Sequence, residues 1–231
     1  MGVSSTINSS TNRQINKSDR VPPGSSSSHR RLTKTVVFVA ALIPLARLLL
    51  AAYRDDLGAN PIETITHGTG DWALRLLLIT LAVTPLRRLL RWNGVIAYRR
   101  MLGLFAFLYA VLHLTTFVVL DHFFDWQEIV ADVYKRPYIT AGSAAFLCML
   151  PLAITSTRGW VRRLGRRWTT VHRLVYAAAG AAVVHYWWLV KADTRLPRWY
   201  AGILIVLLGA RLAYRSWPAR SGPRIAAAPA D

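Results

Sequence analysis

The 231-residue chain has little cysteine and little charge, and its acidic residues are outnumbered. Cys148 is the single cysteine, so the chain forms no internal disulfide and no cysteine-rich zinc or iron–sulfur site. Charged residues make up 17% of the chain, against roughly 25% in soluble domains. Hydrophobic residues make up 53%. This composition argues against a disordered chain and against an ordinary soluble domain.

The hydrophobic residues gather in six apolar stretches, each approaching the roughly 20 residues that cross a membrane as a helix. The second and sixth are short, so we expect flanking residues to complete them while Arg and Lys reach the interface. The predicted fold is an all-α integral membrane bundle of six transmembrane helices over residues 35–214. Residues 1–34 read as a disordered tail, and residues 215–231 as a short second tail. The stretches are 35–53, 72–86, 101–120, 138–155, 169–190 and 199–214.

The net charge of +18 is distributed unevenly between the two sides of this bundle. The two tails and the second and fourth loops hold 20 Lys and Arg residues, whereas the loops of the opposite side hold six. The positive-inside rule therefore predicts that both termini are cytoplasmic. The first apolar run is too long for a signal peptide and no clear cleavage site follows it, so we expect the first helix to be retained. Because topology accounts for most of the charge, we expect a lipid bilayer as partner and no nucleic acid.

Three of the six histidines, His113, His172 and His185, lie within the apolar stretches. An ionisable side chain at membrane depth points to a functional site, because burying it without a partner costs several kcal/mol. Metal or haem ligation is one interpretation, since His is the commonest metal ligand. Hydrogen bonding between packed helices and proton relay in a small transporter are the others.

Spacing limits which histidines can share a metal. His172 and His185 are 13 residues apart, roughly 20 Å along a helix, whereas two ligands of one metal lie about 4 Å apart. Measured from the basic residues of the inner side, His113 lies about 20 Å beyond Arg100, and His185 about 27 Å beyond Arg167. We therefore predict an outer site formed by His113 with His185. His172 would lie at a second, inner site that has no histidine of the third helix beside it.

Two imidazoles from facing helices suit a haem iron, whereas zinc takes three or four protein ligands. Without a Cys-x-x-Cys-His motif the haem would be bound non-covalently, as haem b. Gly103, Gly142 and Gly180 either leave room between helices or let them pack closely.

Four arginines are candidates to pair with haem propionates. Arg47 and Arg75 lie towards the outer side, where Asp71 or a lipid phosphate is an alternative partner. Arg100 and Arg173 lie near His172, and Arg173 could instead extend to the membrane interface.

At these residues the sequence resembles the ferric reductase-like transmembrane family, and within it the haem-binding membrane subunits of bacterial periplasmic methionine sulfoxide reductase systems. The resemblance covers residues 35–214, and its most specific parts are the blocks around Arg100, His172 and His185. The matching segments are His67-Gly68-Thr69-Gly70, Arg99-Arg100-Met101-Leu102-Gly103-Leu104, Leu112-His113-Leu114-Thr115, Arg136-Pro137-Tyr138-Ile139-Thr140, Leu164-Gly165-Arg166-Arg167-Trp168, Val171-His172-Arg173-Leu174-Val175-Tyr176 and His185-Tyr186-Trp187.

The resemblance implies an electron-transfer subunit of the bacterial inner membrane, with one or two haems b on His113, His172 and His185. It implies electron delivery to MsrP, a periplasmic molybdopterin enzyme that reduces methionine sulfoxide in oxidised envelope proteins. FMN is implied by the family alone. The 17 residues after Tyr214 leave no room for a flavin- and nicotinamide-binding domain, so we expect membrane quinol or a cytosolic flavin reductase as electron donor.

Three other functions remain open from the sequence. They are a proton-coupled transporter with a histidine relay, a stand-alone ferric reductase, and a structural membrane anchor. The anchor would leave the three histidines without a role.

Overall fold

The computed structural model describes residues 25–90, 93–190 and 193–216, and within them it contains nine α-helices and no strand. By contacts the chain divides into residues 1–39 and residues 40–231. The described part of the first unit is the beginning of α1, and the second unit holds the remaining helices. The helices are α1 (Ser25–Tyr53), α2 (Pro61–Leu89), α3 (Ile96–Thr115), α4 (Trp126–Lys135), α5 (Pro137–Ile154), α6 (Arg158–Leu164), α7 (Arg167–Val171), α8 (Leu174–Leu189) and α9 (Arg195–Ser216).

Five segments of the described chain are long and apolar enough to cross a membrane. Each overlaps one of the predicted stretches. A π-helical turn, Thr116–Asp121, extends α3 and lengthens its span. The predicted tail at 1–34 and the tail at 215–231 lie largely outside the described residues, although α1 already begins at Ser25. The five segments are Arg31–Tyr53, Pro61–Leu89, Ile96–Asp121, Pro137–Ile154 and Arg195–Ala213.

The stretch predicted at 169–190 is not one helix. The backbone N–H of Arg173 bonds to the carbonyl of Thr170, and that of Tyr176 to the carbonyl of Arg173. These hydrogen bonds join residues three apart, as in a 3₁₀ turn, instead of the four apart of an α-helix. The turn they form ends α7 before α8 begins. Only the 16 residues of α8 remain, which makes it shorter than the five spanning segments. The prediction that His172 and His185 share one helix is therefore wrong.

Helix α2 begins earlier than the apolar pattern predicts, because polar residues start it. The Asn60 side chain accepts a hydrogen bond from the Glu63 backbone N–H and donates one to the Glu63 carboxylate. Pro61 occupies the first turn, where its missing N–H costs nothing. As a result His67 lies on an exposed turn of α2 rather than in a loop.

Helix α4 occupies a region predicted as a loop. Asp125 caps its first turn by accepting hydrogen bonds from the backbone N–H groups of Gln127 and Glu128, both at 3.0 Å. His122, which lies between the predicted stretches 101–120 and 138–155, is buried just before this helix. Its Nε2 lies 3.4 Å from a carboxylate oxygen of Asp132, which is also buried.

The tightest packing joins α2 to α3 and α5 to α8, and α3 also contacts α5. Helix α2 is the most buried of the five spanning segments: 44% of the residues in its 18-residue apolar part are buried, against 11% in that of Arg31–Tyr53. Leu74, Leu77 and Leu81 form one buried stripe on α2, and Ala178 on α8 has no exposed surface. Helices α1 and α9 expose many aliphatic side chains, as expected of lipid-facing surfaces.

One side chain completes the hydrogen bonding of α1 next to Pro44. The Tyr109 hydroxyl accepts a hydrogen bond from the Leu45 N–H at 3.0 Å and donates one to the Ala41 carbonyl at 2.9 Å. An uninterrupted helix would pair these two backbone groups with each other. Tyr109 is one of the most deeply buried large side chains, so α3 fixes this part of α1.

Candidate metal centre

The rings of His113 on α3 and His185 on α8 lie next to each other in an edge-to-face arrangement. Their centroids lie 6.0 Å apart, and their planes are inclined by 74°. Metal–imidazole bonds of about 2 Å would place the centroids of two opposing axial rings about 6 Å apart. The spacing of these two rings therefore fits a single metal ion between them.

A backbone carbonyl holds each ring by its Nδ1. The Nδ1–H of His113 donates to the Thr66 carbonyl at 2.9 Å, and that of His185 donates to the Tyr138 carbonyl at 2.6 Å. A carbonyl only accepts, so each Nδ1 carries the proton and each Nε2 keeps its lone pair. Within the described chain, no hydrogen bond engages either Nε2. Neutral imidazoles oriented in this way are what a haem iron takes as axial ligands.

Two glycines make room for the rings. A Cβ added at Gly70 on α2 would lie 3.0 Å from the Nδ1 of His113. A Cβ at Gly142 on α5 would lie 2.8 Å from the Nδ1 of His185. Real Cβ contacts essentially never fall below 3.0 Å, so any larger residue at 142 would push the ring away. Gly103 instead faces Thr80, and Gly180 faces open space.

The two halves of the site repeat one arrangement. Each histidine is bonded to a carbonyl 47 residues earlier in the chain, and each glycine lies four residues after that carbonyl. The helix pairs α2–α3 and α5–α8 thus provide equivalent half-sites, 72 residues apart. Gly142 was among the glycines predicted to leave room between helices, whereas no role was predicted for Gly70 or for the two carbonyls. The equal spacing of Gly70–His113 and Gly142–His185 was the available signal.

The structure does not bring His172 to this pair. It lies between α7 and α8, where its ring stacks on Trp168 with centroids 3.9 Å apart. Its Nδ1–H donates to the Trp168 carbonyl at 3.2 Å, and the Trp168 indole N–H donates to the Thr155 carbonyl. Among the described residues, no group of three or more His, Cys, Asp or Glu could hold a metal. A second site at His172 stays a prediction.

Of the four arginines predicted to contact propionates, Arg75 is held within the protein. Its Nε donates to the Tyr200 hydroxyl at 2.8 Å, and an Nη forms an ion pair with Asp71 at 3.2 Å. Its guanidinium also lies 5.1 Å from the centroid of the Trp72 ring. Asp71 was one of the partners that the sequence left open. The other three, Arg47, Arg100 and Arg173, are exposed.

Comparison with known proteins identifies relatives along most of the chain. Residues 69–183 match the family described as "Ferric reductase like transmembrane component". A protein of Herminiimonas arsenicoxydans is 54% identical over 193 residues, covering 82% of this chain and 88% of the relative. A protein of Xanthomonas axonopodis pv. citri is 51% identical over 207 residues, covering 83% and 95%. Both are named "Protein-methionine-sulfoxide reductase heme-binding subunit MsrQ". No solved structure matches the chain.

Proposed function

The chain belongs to the MsrQ family of multi-pass, ferric reductase-like membrane proteins, and from this membership we propose that it is a haem b electron-transfer subunit of the bacterial inner membrane. It would pass electrons to a periplasmic molybdopterin methionine sulfoxide reductase, MsrP. That enzyme would use them to repair oxidised envelope proteins.

The close approach of the His113 and His185 rings is the observation that carries this proposal. His113 and His185 would hold one haem iron, and their 6.0 Å ring spacing fits that role. When bound, haem supplies an iron that accepts and releases one electron at a time. With both His113 and His185 bound to it, the iron would have no open position for a substrate, so it would serve electron transfer rather than catalysis.

The surrounding residues prepare the two histidines for this role. The Thr66 and Tyr138 carbonyls orient the rings and hold the proton on Nδ1, so neither imidazole has to lose a proton before it binds iron. Gly70 allows His113 to approach α2 closely, and Gly142 does the same for His185 against α5.

A second haem at His172 is part of the proposal, with Arg100 and Arg173 as propionate contacts at the inner end. Arg47 is the corresponding candidate at the outer end, because Arg75 is already bound by Tyr200 and Asp71. The half-site repeat places Arg100 at the position equivalent to His172, so this haem would need a ligand other than a second histidine. FMN is proposed from family membership alone.

The proposed topology has six membrane segments and both termini in the cytoplasm. Helix α8 would be the sixth segment. Its 16 residues span about 24 Å, short of the roughly 30 Å hydrocarbon core, so α7 and the turn at His172 would complete the crossing. The His113–His185 pair would then lie near the periplasmic face, and electrons from quinol or a cytosolic flavin reductase would enter from the opposite side.

Electron transfer in a reconstituted system tests the proposal. The purified protein is reduced chemically, and MsrP is added with methionine sulfoxide while the haem absorbance is followed. We expect reoxidation only when both are present. A His185→Ala protein should transfer no electrons. If ferric iron reoxidises the haem and MsrP with methionine sulfoxide does not, the protein is a stand-alone ferric reductase. If the purified protein contains no haem, the transporter interpretation is favoured.

A further inference from the structure

Two buried polar atoms near the inner end of the bundle lack partners. The Tyr176 hydroxyl on α8 and one Nη of Arg211 on α9 are buried without a hydrogen bond within the described chain. The Arg211 guanidinium carbon lies 4.8 Å from the centroid of the Tyr176 ring. Buried polar groups are normally satisfied, so two unsatisfied donors in direct contact indicate a missing acceptor.

A second cation accompanies this pair. Arg99, in the first turn of α3, lies close enough to Tyr176 and Arg211 to interact electrostatically with both. The ion pairs of the described residues provide no carboxylate for Arg99 or Arg211. Two like charges in a half-buried membrane site repel each other and are costly without a counter-ion. The missing acceptor should therefore be an anion.

Position separates this cluster from the histidine pair. Arg99 and Tyr176 lie near the starts of α3 and α8, whereas His113 and His185 lie near the ends of the same helices. Arg211 lies near the end of α9, which packs against both α2 and α8. All three residues of the cluster thus lie on the predicted cytoplasmic side.

We propose that Arg99, Tyr176 and Arg211 form a binding site for the anionic group of a redox cofactor, a carboxylate or a phosphate, at the inner end of the bundle. A guanidinium offers two parallel N–H groups to a carboxylate or phosphate, and the Tyr176 hydroxyl adds a third donor. The anion has two candidate sources, a haem propionate and the phosphate of FMN. This proposal rests on the proposed function, because it assumes a redox cofactor at this end.

The test compares cofactor content in purified full-length variants. Tyr176→Phe removes only the hydroxyl, and Arg211→Met removes the charge while keeping an unbranched side chain. Arg162→Met is the matched control, since Arg162 is exposed on α6 on the same predicted side. Haem per chain is measured as the pyridine complex, and FMN per chain by fluorescence after acid release. The optical signal of the His113–His185 haem reports folding.

Loss of a charge-assisted hydrogen bond should weaken the cofactor's affinity about tenfold or more. We expect the content of one cofactor per chain to fall in Tyr176→Phe and in Arg211→Met but not in Arg162→Met. A fall in haem identifies a propionate, and a fall in FMN identifies a phosphate. Unchanged haem and FMN in both variants would refute the site while leaving the proposed function intact. A wild-type protein without haem would refute the proposed function itself.

Discussion

Gly142→Ala should displace His185 and empty the outer haem site. The new methyl carbon would lie 2.8 Å from the His185 Nδ1, whereas ordinary contacts begin at 3.4 Å, so the ring must move by about 0.6 Å. That movement disturbs the hydrogen bond to the Tyr138 carbonyl and the alignment with His113. Disrupting such an outer hydrogen bond lowers metal affinity about 10–100-fold. Haem per chain and the midpoint potential of the purified protein measure the effect.

Gly180→Ala is the matched control, because a Cβ there would meet no atom within 4 Å. Both changes replace glycine by alanine inside a helix, which favours the helix by about 1 kcal/mol. A loss of haem confined to Gly142→Ala therefore cannot come from a weakened helix. Full haem content and an unchanged potential in Gly142→Ala would refute the account of this half-site.

Three further changes test other parts of the structure. Tyr109→Phe leaves two backbone groups of α1 without partners, and should destabilise the protein by about 1–3 kcal/mol per group, seen as a lower Tm in detergent. Arg75→Met should leave haem content unchanged, because Tyr200 and an acidic neighbour already bind Arg75; a haem loss would restore the propionate role. Asp132→Asn should lower the Tm, because it removes the charge that pairs with Arg136 at 3.1 Å and lies 3.4 Å from buried His122; a Tm equal to wild type would show that these two contacts contribute no stability.

The histidine pair could be predicted from sequence because helix rise converts residue number into depth. Counting from Arg100 and Arg167 placed His113 and His185 near the same level, and the structure brings their rings together. The number of long helices was harder to predict. Hydropathy cannot detect the hydrogen bonds between residues three apart that form the turn between His172 and α8.

Features that depend on partners distant in sequence were missed. The carbonyls of Thr66 and Tyr138 carry no side-chain signal, since every residue has such a group. One missed feature was local: the Asn60 cap before α2 was a readable signal, but the prediction followed hydropathy and overlooked capping. The contact between Tyr176 and Arg211 arises from the packing of α8 against α9, which neither sequence segment reveals alone.

The reduced-minus-oxidised optical spectrum, with haem quantified per chain, tests the central claim most directly. The wild-type protein and the exposed-site control His67→Ala should show the bands of a low-spin b-type haem. His113→Ala and His185→Ala should each lose that component, because either change removes one of two axial ligands. An unchanged spectrum and haem content in either variant would contradict the assignment of this pair.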